Sequence, residues 1–256
     1  MYALVSDIHS NIEALKAVMA DIEKEKVEKI ICLGDIIGYG PSPEECIDIA
    51  MERFDIALAG NHEWAILNQP VGFSYIARRA AEWHQKVLKP GWFSSSKKKK
   101  RWKYLESLQD TYKEGDILFV HASPQNPKEE YLLRSDVDEM IQDFSPKLKK
   151  AFSLIEGPCF IGHTHTAGVI FEDTYHFFTP QELDFEVSLE KGRKAIINIG
   201  SVGQPRDGSP QSSYMLLDGD KAYYRRVDYD FEQTKEKIFA NPYLDDELGK
   251  RLVDGR

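Results

Sequence analysis

The chain has 256 residues, of which 42% are hydrophobic and 29% are charged; this is typical of a globular protein and excludes a disordered one. Its net charge of -9 at pH 7 disfavours a general nucleic-acid coat or an anionic-membrane binder, since both need positive surfaces. We expect neither a membrane span nor a secretory signal. Three widely spaced cysteines without a CxxC motif indicate a reducing, cytoplasmic location rather than a disulfide framework.

The first sixty residues predict strands that alternate with helices. Three short apolar strands are expected at residues 2–6, 29–33 and 55–59. Ser10 and Glu13 form an S-x-x-E capping box that predicts a helix through about residue 25, and Ser42-Pro43 predicts the start of a second helix. Strands joined by helices in this order predict a parallel sheet with right-handed crossovers.

The segment at about 64–115 interrupts this alternation. It is too long for a bare loop, so we expect an insertion with its own helices, one of them over 98–108. A strand is then predicted at 116–120, followed by helices at 136–143 and 147–155 and by a strand at 158–162. Short strands in hairpins follow, with a turn at Asp218-Gly219 and two final helices at about 230–240 and 244–252. We interpret residues 1–256 as one domain.

Five of the predicted strands end in side chains that ligate metals, and the carboxyl ends of strands are where sites form in open α/β sheets. These side chains are Asp7, His9, Asp35, Asn61, His62, His121, His163 and His165. Residues two apart in extended chain point the same way, and we expect the glycines before Asp35, Asn61 and His163 to permit tight turns with positive φ. Any one motif is commonly just a turn, but five together predict a metal centre. Oxygen and imidazole ligands without sulfur suit Mn, Fe, Zn, Ni or Co, and seven ligands with one shared suit two ions.

The ordered motifs DIH, GDxxGYG, GNHE, HASP and GHTH resemble those of the calcineurin-like metallophosphoesterase superfamily. The runs HASPQNPKEEYL and INIGSVGQPRDG are similar to its small bacterial and archaeal branch, whose members are often called phosphodiesterases or phosphatases. The resemblance covers nearly the whole chain and implies a four-layer α/β/β/α sandwich of two stacked mixed β-sheets flanked by helices. The chain has DIHSN, GNHE and INIGSV where the family pattern has DIHGN, GNHD and NPGSV, and none of these departures removes a ligand.

The resemblance also implies a role for each motif residue. Asp7, His9 and His165 would hold one ion, Asn61, His121 and His163 would hold the other, and Asp35 would bridge the two. His62 would not be a ligand; it would act as general acid or charge stabiliser for the leaving oxygen, with a pKa near the ordinary value of about 6.5. The implied reaction is hydrolysis of a phosphate ester by a hydroxide that bridges the metals.

The substrate class is narrowed by the Gly-rich turn. Ser/Thr protein phosphatases of this superfamily carry GDxxDRG, whereas this chain has GDIIGYG at 34–40 and lacks the second Asp and the Arg. A small phosphodiester or nucleotide-type substrate is therefore favoured. Two alternatives stay open: a phosphomonoesterase acting on proteins or small molecules, and an inactive metal-site scaffold that serves as a binding subunit.

Three further residues are candidate substrate contacts. The guanidinium of Arg206 matches phosphate oxygens, although a salt bridge to Asp207 or another carboxylate is an equal alternative. Asn11 is more suited to supporting the start of the first helix, and Tyr39 is expected to line the pocket.

The run from Lys97 to Lys103 is strongly basic and lies near Trp92, Trp102 and Tyr104. Charge combined with stacking is compatible with nucleic-acid binding, but a solvated helix face is the favoured interpretation. Nucleic acid is therefore a possible partner that the sequence does not favour. His84 and His176 belong to no motif and are interpreted as structural or surface residues.

Overall fold

The computed structural model describes residues 1–256 and contains fourteen β-strands and eight α-helices. The strands are β1 (Tyr2–Val5), β2 (Lys29–Cys32), β3 (Ile56–Ala57), β4 (Thr111–Glu114), β5 (Ile117–Val120), β6 (Val137–Asp138), β7 (Asp143–Phe144), β8 (Pro158–Ile161), β9 (Gly168–Phe171), β10 (Phe177–Phe178), β11 (Glu186–Ser188), β12 (Ala195–Asn198), β13 (Ser212–Asp218) and β14 (Lys221–Val227). The helices are α1 (Ile12–Ile22), α2 (Pro43–Arg53), α3 (Asn61–Leu67), α4 (Tyr75–Leu88), α5 (Ser96–Glu106), α6 (Pro146–Ser153), α7 (Phe231–Phe239) and α8 (Asp246–Asp254).

Two six-stranded sheets form the centre of the molecule. The first has the order β11-β14-β13-β1-β2-β3 and the second the order β10-β9-β12-β8-β5-β4. In the first sheet β1, β2 and β3 are parallel, as the strand-helix alternation predicts, whereas β13 pairs antiparallel with β1. In the second sheet β5, β8 and β12 are parallel and the outer strands are antiparallel. Both sheets are therefore mixed.

Apolar side chains on both faces of each sheet produce four layers. Between the sheets lies a core to which Leu4 and Ile31 of the first sheet and Phe160 of the second contribute. On the outer face of the first sheet, α1 and α2 pack against strand residues such as Val5. On the outer face of the second, α6 packs with Phe152 against that sheet. The predicted α/β/β/α sandwich of stacked mixed sheets is confirmed.

The start of α1 differs from the capping-box prediction. The helix begins at Ile12, and the N-cap is Asn11, whose side chain accepts from the Ala14 N–H at 3.1 Å. The Glu13 carboxylate does not close a capping box; it accepts hydrogen bonds from Thr234 and Lys237 of α7. Tertiary contacts with α7 therefore engage the glutamate that the local pattern assigned to a cap.

The helix predicted at 136–143 is wrong, because this segment forms a short 3₁₀ turn followed by the β6–β7 hairpin. The carboxylate of Asp138 accepts from the N–H groups of Met140 and Ile141 at 3.0 and 3.2 Å, which closes a turn in place of a helix. Val137 reaches the core, but Met140 and Ile141 are 95% and 71% exposed, so a helix here would have no continuous apolar face to bury.

The other predicted helices after residue 64 are present. Within 64–115 the chain forms α4 and α5 as predicted, and also β4, which pairs with β5 and was not predicted. In the β13–β14 hairpin Asp218 pairs with Lys221, so the turn residues are Gly219 and Asp220 rather than Asp218 and Gly219. None of the eight helices combines the length and the apolar composition needed to cross a bilayer.

The basic run is only partly a solvated face. Arg101 is buried, and its guanidinium binds both oxygens of Asp48 on α2, at 2.8 and 2.7 Å, and also Glu44. Lys97 pairs with Asp48 as well, at 2.8 Å. The positive charge of α5 is thus partly neutralised by the acidic face of α2, and Arg101 fixes one helix to the other.

The two histidines outside the motifs have structural contacts. His84 is buried in α4, and its Nε2 lies 2.9 Å from the carbonyl oxygen of Gly40. His176 is half-buried at the surface, within 2.8 Å of Glu139 and 3.2 Å of Glu182.

Candidate metal centre

The ligand-type residues converge where the two sheets meet. Asp7 and His9 follow β1, Asp35 follows β2, and Asn61 and His62 begin α3 after β3, all from the first sheet. The second sheet contributes the remaining three, which follow β5 and β8: His121, His163 and His165. All eight except Asn61 are buried. The five strand ends predicted from the sequence are thus brought together.

The side chains form overlapping groups whose ligand atoms lie within 4.8 Å of one another. In the first group, His165 Nε2 is 2.9 Å from His9 Nε2 and 3.3 Å from Asp7 Oδ1. The second group contains Asp35, His121 and His163, with His121 Nε2 3.3 Å from Asp35 Oδ2. Asp35 Oδ2 is also 3.8 Å from His9 Nε2, so this carboxylate lies between the two groups.

Asn61 joins the second group through its side-chain amide. Its Oδ1 lies 3.2 Å from His121 Nε2, which places an amide oxygen beside the imidazole and carboxylate ligands. All seven predicted ligands therefore lie in two neighbouring sets, with Asp35 between them.

Backbone carbonyls orient three of the imidazole rings. Nδ1 of His9, His121 and His165 lies 3.2, 3.1 and 2.6 Å from the carbonyl oxygens of Ile37, Leu33 and Gln204, respectively. A carbonyl only accepts, so Nδ1 carries the proton and the lone pair of Nε2 points into the centre. In His163 the nitrogens exchange roles, because Nε2 lies 3.3 Å from the Glu129 carbonyl oxygen.

This arrangement is one that a cation would complete. With Nδ1 protonated in both rings, the Nε2 lone pairs of His9 and His165 face each other across 2.9 Å. Asp7 Oδ1 beside them is buried and has no hydrogen-bond partner. Two opposed lone pairs and an orphaned carboxylate oxygen are unfavourable together unless a positive charge lies between them, so the residues fit a metal ion.

Burial and mutual charge set the protonation of the centre. Burial by itself would raise the pKa of Asp7, but the neighbouring imidazoles, His165 first, outweigh it and hold that pKa below its usual range. Burial lowers the pKa of His163 to about 3. At His121 the attraction of Asp35 outweighs burial and raises the pKa to about 9. An ionised carboxylate such as that of Asp7 and a neutral imidazole such as that of His163 are the forms that bind metals, whereas His121 must release a proton to bind one.

The backbone of the ligand loops is strained. Five ligands have left-handed φ values of 49° to 65°: Asp7, His9, Asp35, His163 and His165. Such conformations cost about 1–3 kcal/mol each and gather at functional sites. The expectation that the preceding glycines carry the positive φ holds only for Gly34, at 117°. Gly60 and Gly162 are needed for close approach instead, since a Cβ there would overlap the carboxylates of Asp35 and Asp7, respectively.

His62 begins α3, and its backbone N–H donates to Asp35 Oδ1 at 2.9 Å. Its ring packs among His9, Tyr39 and Phe73, with centroid distances of 4.9, 4.5 and 4.9 Å, and its Nδ1 has no partner. Burial lowers the pKa of His62 to about 4, so the expected value near 6.5 is wrong. The ring also comes close enough to His9 and Asp35 to form a third candidate ligand group.

Glu63 is a further residue of the site, which the sequence motifs did not single out. Its buried carboxylate accepts hydrogen bonds from the backbone N–H groups of Asp35 at 2.9 Å, Ile37 at 3.1 Å and Gly60 at 2.9 Å. Burial raises the pKa of Glu63 to about 7. Glu63 thereby ties the loop of Asp35 to the turn before Asn61. Its position three residues after the helix-capping Gly60 is the local signal that indicates such a role.

A cavity of about 590 Å³ opens beside the centre. Two of the predicted ligands, Asn61 and His163, lie on its wall together with three aromatic rings, Tyr39, Phe73 and Tyr131. The Tyr131 ring lies 4.0 Å from the ring of His163. Tyr39 is therefore in the place expected for it.

The two other candidate substrate contacts differ from each other. Arg206 lies on the cavity wall and does not pair with Asp207, which binds Arg226 instead. The side chain of Asn11 caps α1 and donates to the carbonyl oxygen of Gly203 at 2.8 Å, in agreement with a supporting role at the start of the helix.

Stacked mixed sheets with grouped imidazole and carboxylate ligands at their strand ends define a metal-dependent phosphoesterase class of protein. The family model for the calcineurin-like phosphoesterase superfamily domain matches residues 1–222. An uncharacterized protein of Methanocaldococcus jannaschii is 35% identical over 265 residues, which cover 100% of this chain and 98% of that protein. The chain belongs to the calcineurin-like phosphoesterase superfamily.

Solved structures agree with this assignment. A metallophosphoesterase from Sphaerobacter thermophilus is 32% identical, with a TM-score of 0.81 over 100% of this chain and 99% of that chain. A hypothetical protein from Pyrococcus horikoshii shares the fold at 18% identity, with a TM-score of 0.74 and the same coverage. The superfamily uses a dinuclear metal centre, and membership supports metal-dependent hydrolysis of small phosphate esters.

Proposed function

We propose that the protein is a dinuclear metal-dependent phosphoesterase. One ion would be held by Asp7, His9 and His165, the other by Asn61, His121 and His163, and Asp35 would be shared. The observation that carries this proposal is the pair of opposed Nε2 lone pairs beside the orphaned Asp7 oxygen. When bound, two ions would offset the charge of the phosphoryl oxygens and activate a water. Mn, Fe, Zn, Ni and Co all suit this ligand chemistry.

His62 would assist departure of the leaving group. Its lowered pKa of about 4 means that the ring is neutral near pH 7 and carries one N–H, which would donate to the leaving oxygen. Its packing between two cavity-lining rings, Tyr39 and Phe73, holds the imidazole in one orientation. Such positioned proton donors contribute about 10²- to 10⁴-fold to a rate.

The preferred substrate is a small phosphodiester or a nucleotide-type ester. A cavity of about 590 Å³ is within the usual range for small-molecule sites. The aromatic wall formed by Tyr39, Phe73 and Tyr131 suits a planar ring in the substrate. A phosphomonoester is the alternative substrate, and an inactive binding subunit is the alternative function.

The proposal is tested by assaying a panel of substrates with enzyme whose metals have been removed by a chelator. Mn, Fe, Zn or Ni is added back, and turnover is measured with bis-p-nitrophenyl phosphate, p-nitrophenyl phosphate, cyclic nucleotides, dinucleoside polyphosphates and phosphopeptides. We expect metal-dependent turnover, with esters of small molecules preferred over phosphopeptides. Loss of turnover with every metal and every substrate would overturn the enzymatic function and favour the binding subunit.

The variant His62→Ala tests whether His62 is a metal ligand or a catalytic residue. We expect it to retain both metals by elemental analysis and to lose about 10²- to 10⁴-fold in kcat. The control is His176→Ala, which removes a surface imidazole that lies outside the centre. Near-wild-type turnover would remove His62 from the mechanism, and loss of a metal would make it a ligand.

The proposal also covers the location of the protein and its partners. All three cysteines are buried and unpaired, which supports the proposal of a cytoplasmic protein, to be checked by cell fractionation. Neutralisation of Lys97 and Arg101 by α2 supports the view that nucleic acid is not the preferred partner.

A further inference from the structure

Two arginines from distant parts of the chain share the wall of the cavity beside the metal centre. Arg206 lies in the loop between β12 and β13, and Arg251 lies in α8, the last helix. The Arg206 guanidinium is 5.6 Å from the ring centroid of Tyr39, which lines the same cavity. Of the two arginines, only Arg206 is expected from the sequence to contact substrate.

The fold does not use the charge of Arg206. Its Nη2 donates to the side-chain oxygen of Gln204 at 2.7 Å, while its Nε is buried without a partner. By contrast Arg101 and Arg226, whose side chains are 10% and 12% exposed, bind carboxylates directly. Arg206 is half-buried, and a guanidinium N–H that is buried without an acceptor is costly, so Arg206 is placed to receive an anion from outside the chain.

Arg251 is also incompletely paired. Its Nε is 4.0 Å from Glu247 Oε1 one helical turn away, a separation at the limit of an ion pair, and its side chain is 31% exposed. The only carboxylate on the cavity wall is the exposed Glu129. The arginine side of the cavity therefore has a surplus of positive charge before any metal binds.

We propose that the substrate carries a second phosphate and that Arg206 and Arg251 bind this non-reacting group while the scissile phosphate lies at the metal centre. This inference rests on the proposed function and narrows its substrate class to nucleotides with two or more phosphates. Guanidinium groups bind phosphate through two parallel N–H donors. The rings of Phe73 and Tyr131 line the same cavity and would pack against the base of such a nucleotide.

The reaction stays a hydrolysis. Water adds to the scissile phosphorus, the P–O bond to the rest of the nucleotide breaks, and one proton of the water passes to the leaving oxygen. The phosphate at the arginines is unchanged, so it contributes to binding and to the orientation of the substrate.

Calorimetry on Mn-loaded protein tests the second phosphate site directly. Methylenebisphosphonate and methylphosphonate are titrated separately into wild type, Arg206→Gln and Arg251→Gln, and the two affinities are compared. The control variant is Lys250→Gln, which removes an exposed charge from the helix that carries Arg251. We expect wild type to favour the bisphosphonate, and each arginine variant to lose about 10- to 100-fold of that preference. Because the bisphosphonate also has more oxygens for the metals, the decisive quantity is the change in preference between variants.

The same variants are assayed with ADP and p-nitrophenyl phosphate, comparing the ratio of kcat/KM values. Lys250→Gln should keep the wild-type preference in both experiments. An unchanged preference in Arg206→Gln and in Arg251→Gln would overturn the inference while turnover of p-nitrophenyl phosphate keeps the proposed function. If the protein shows no turnover but the arginine variants lose the preference for the bisphosphonate, the second site is supported and the enzymatic function is overturned.

Discussion

Replacing Glu63 by glutamine should loosen two ligand loops at once. In wild type, Oε2 accepts from the N–H groups of Asp35 and Gly60 and Oε1 accepts from that of Ile37. A glutamine has only one acceptor oxygen. Its amide nitrogen must then face at least one of these N–H donors, which leaves a buried donor unsatisfied.

The magnitude follows from the hydrogen bonds that are lost. A hydrogen bond to a charged group contributes about 1.5–3 kcal/mol when it is buried, and at least one is removed in Glu63→Gln. For a protein of this size a loss of about 2 kcal/mol lowers the melting temperature by about 4–8 °C. Because Asp35 is positioned through this carboxylate, metal affinity should fall about 10- to 100-fold, as for other groups that orient ligands.

Two assays check this prediction. Thermal unfolding of the chelated protein at pH 8, where the carboxylate is ionised in the fold, measures stability, and Mn titration calorimetry measures affinity. The control Glu52→Gln removes an exposed carboxylate on α2 and should change neither quantity. A wild-type melting temperature together with wild-type Mn affinity in Glu63→Gln would refute the argument that this side chain fixes the loops.

Two further predictions concern metal removal and the basic helix. Because opposed lone pairs and strained loops surround the centre, Mn at about 100 times its dissociation constant should stabilise wild type by about 2.7 kcal/mol. The stabilisation is measured as a rise in melting temperature over EDTA-treated protein. The variant Asp35→Asn should lose most of this rise. Arg101→Met should lower the free energy of unfolding by about 1–3 kcal/mol in urea titrations, since it leaves Glu44 unpaired and Asp48 with only Lys97.

A specific result would contradict each of these two predictions. Equal melting temperatures of wild type with Mn and with EDTA would mean that the ligand loops do not bind the ion. For the basic helix, the matched variant Lys100→Met removes an exposed charge next in sequence and should change stability by less than about 0.5 kcal/mol. Equal effects of the two variants would show that Arg101 does not fix α5 to α2.

Local patterns predicted the elements that depend on local chemistry. The apolar runs before Asp7 and Asp35 and the Ser42-Pro43 start of α2 all lie where the structure has them. Strand periodicity and helix starts depend on neighbouring residues, so they can be inferred from the sequence. The helix predicted at 136–143 failed because Met140 and Ile141 meet no core and Asp138 closes a turn instead.

The sequence by itself indicated which residues are candidate metal ligands and that strand ends would gather them, because metal-ligand chemistry is a property of residue types in ordered motifs. Only the tertiary structure decided the environment of these candidate ligands and of the residues around them. It placed Glu63 under three backbone N–H groups, buried His62 until its pKa fell to about 4, and brought Arg206 and Arg251 to one wall. Burial and the approach of distant segments control these features, and both depend on how the two sheets and their helices pack rather than on neighbouring residues.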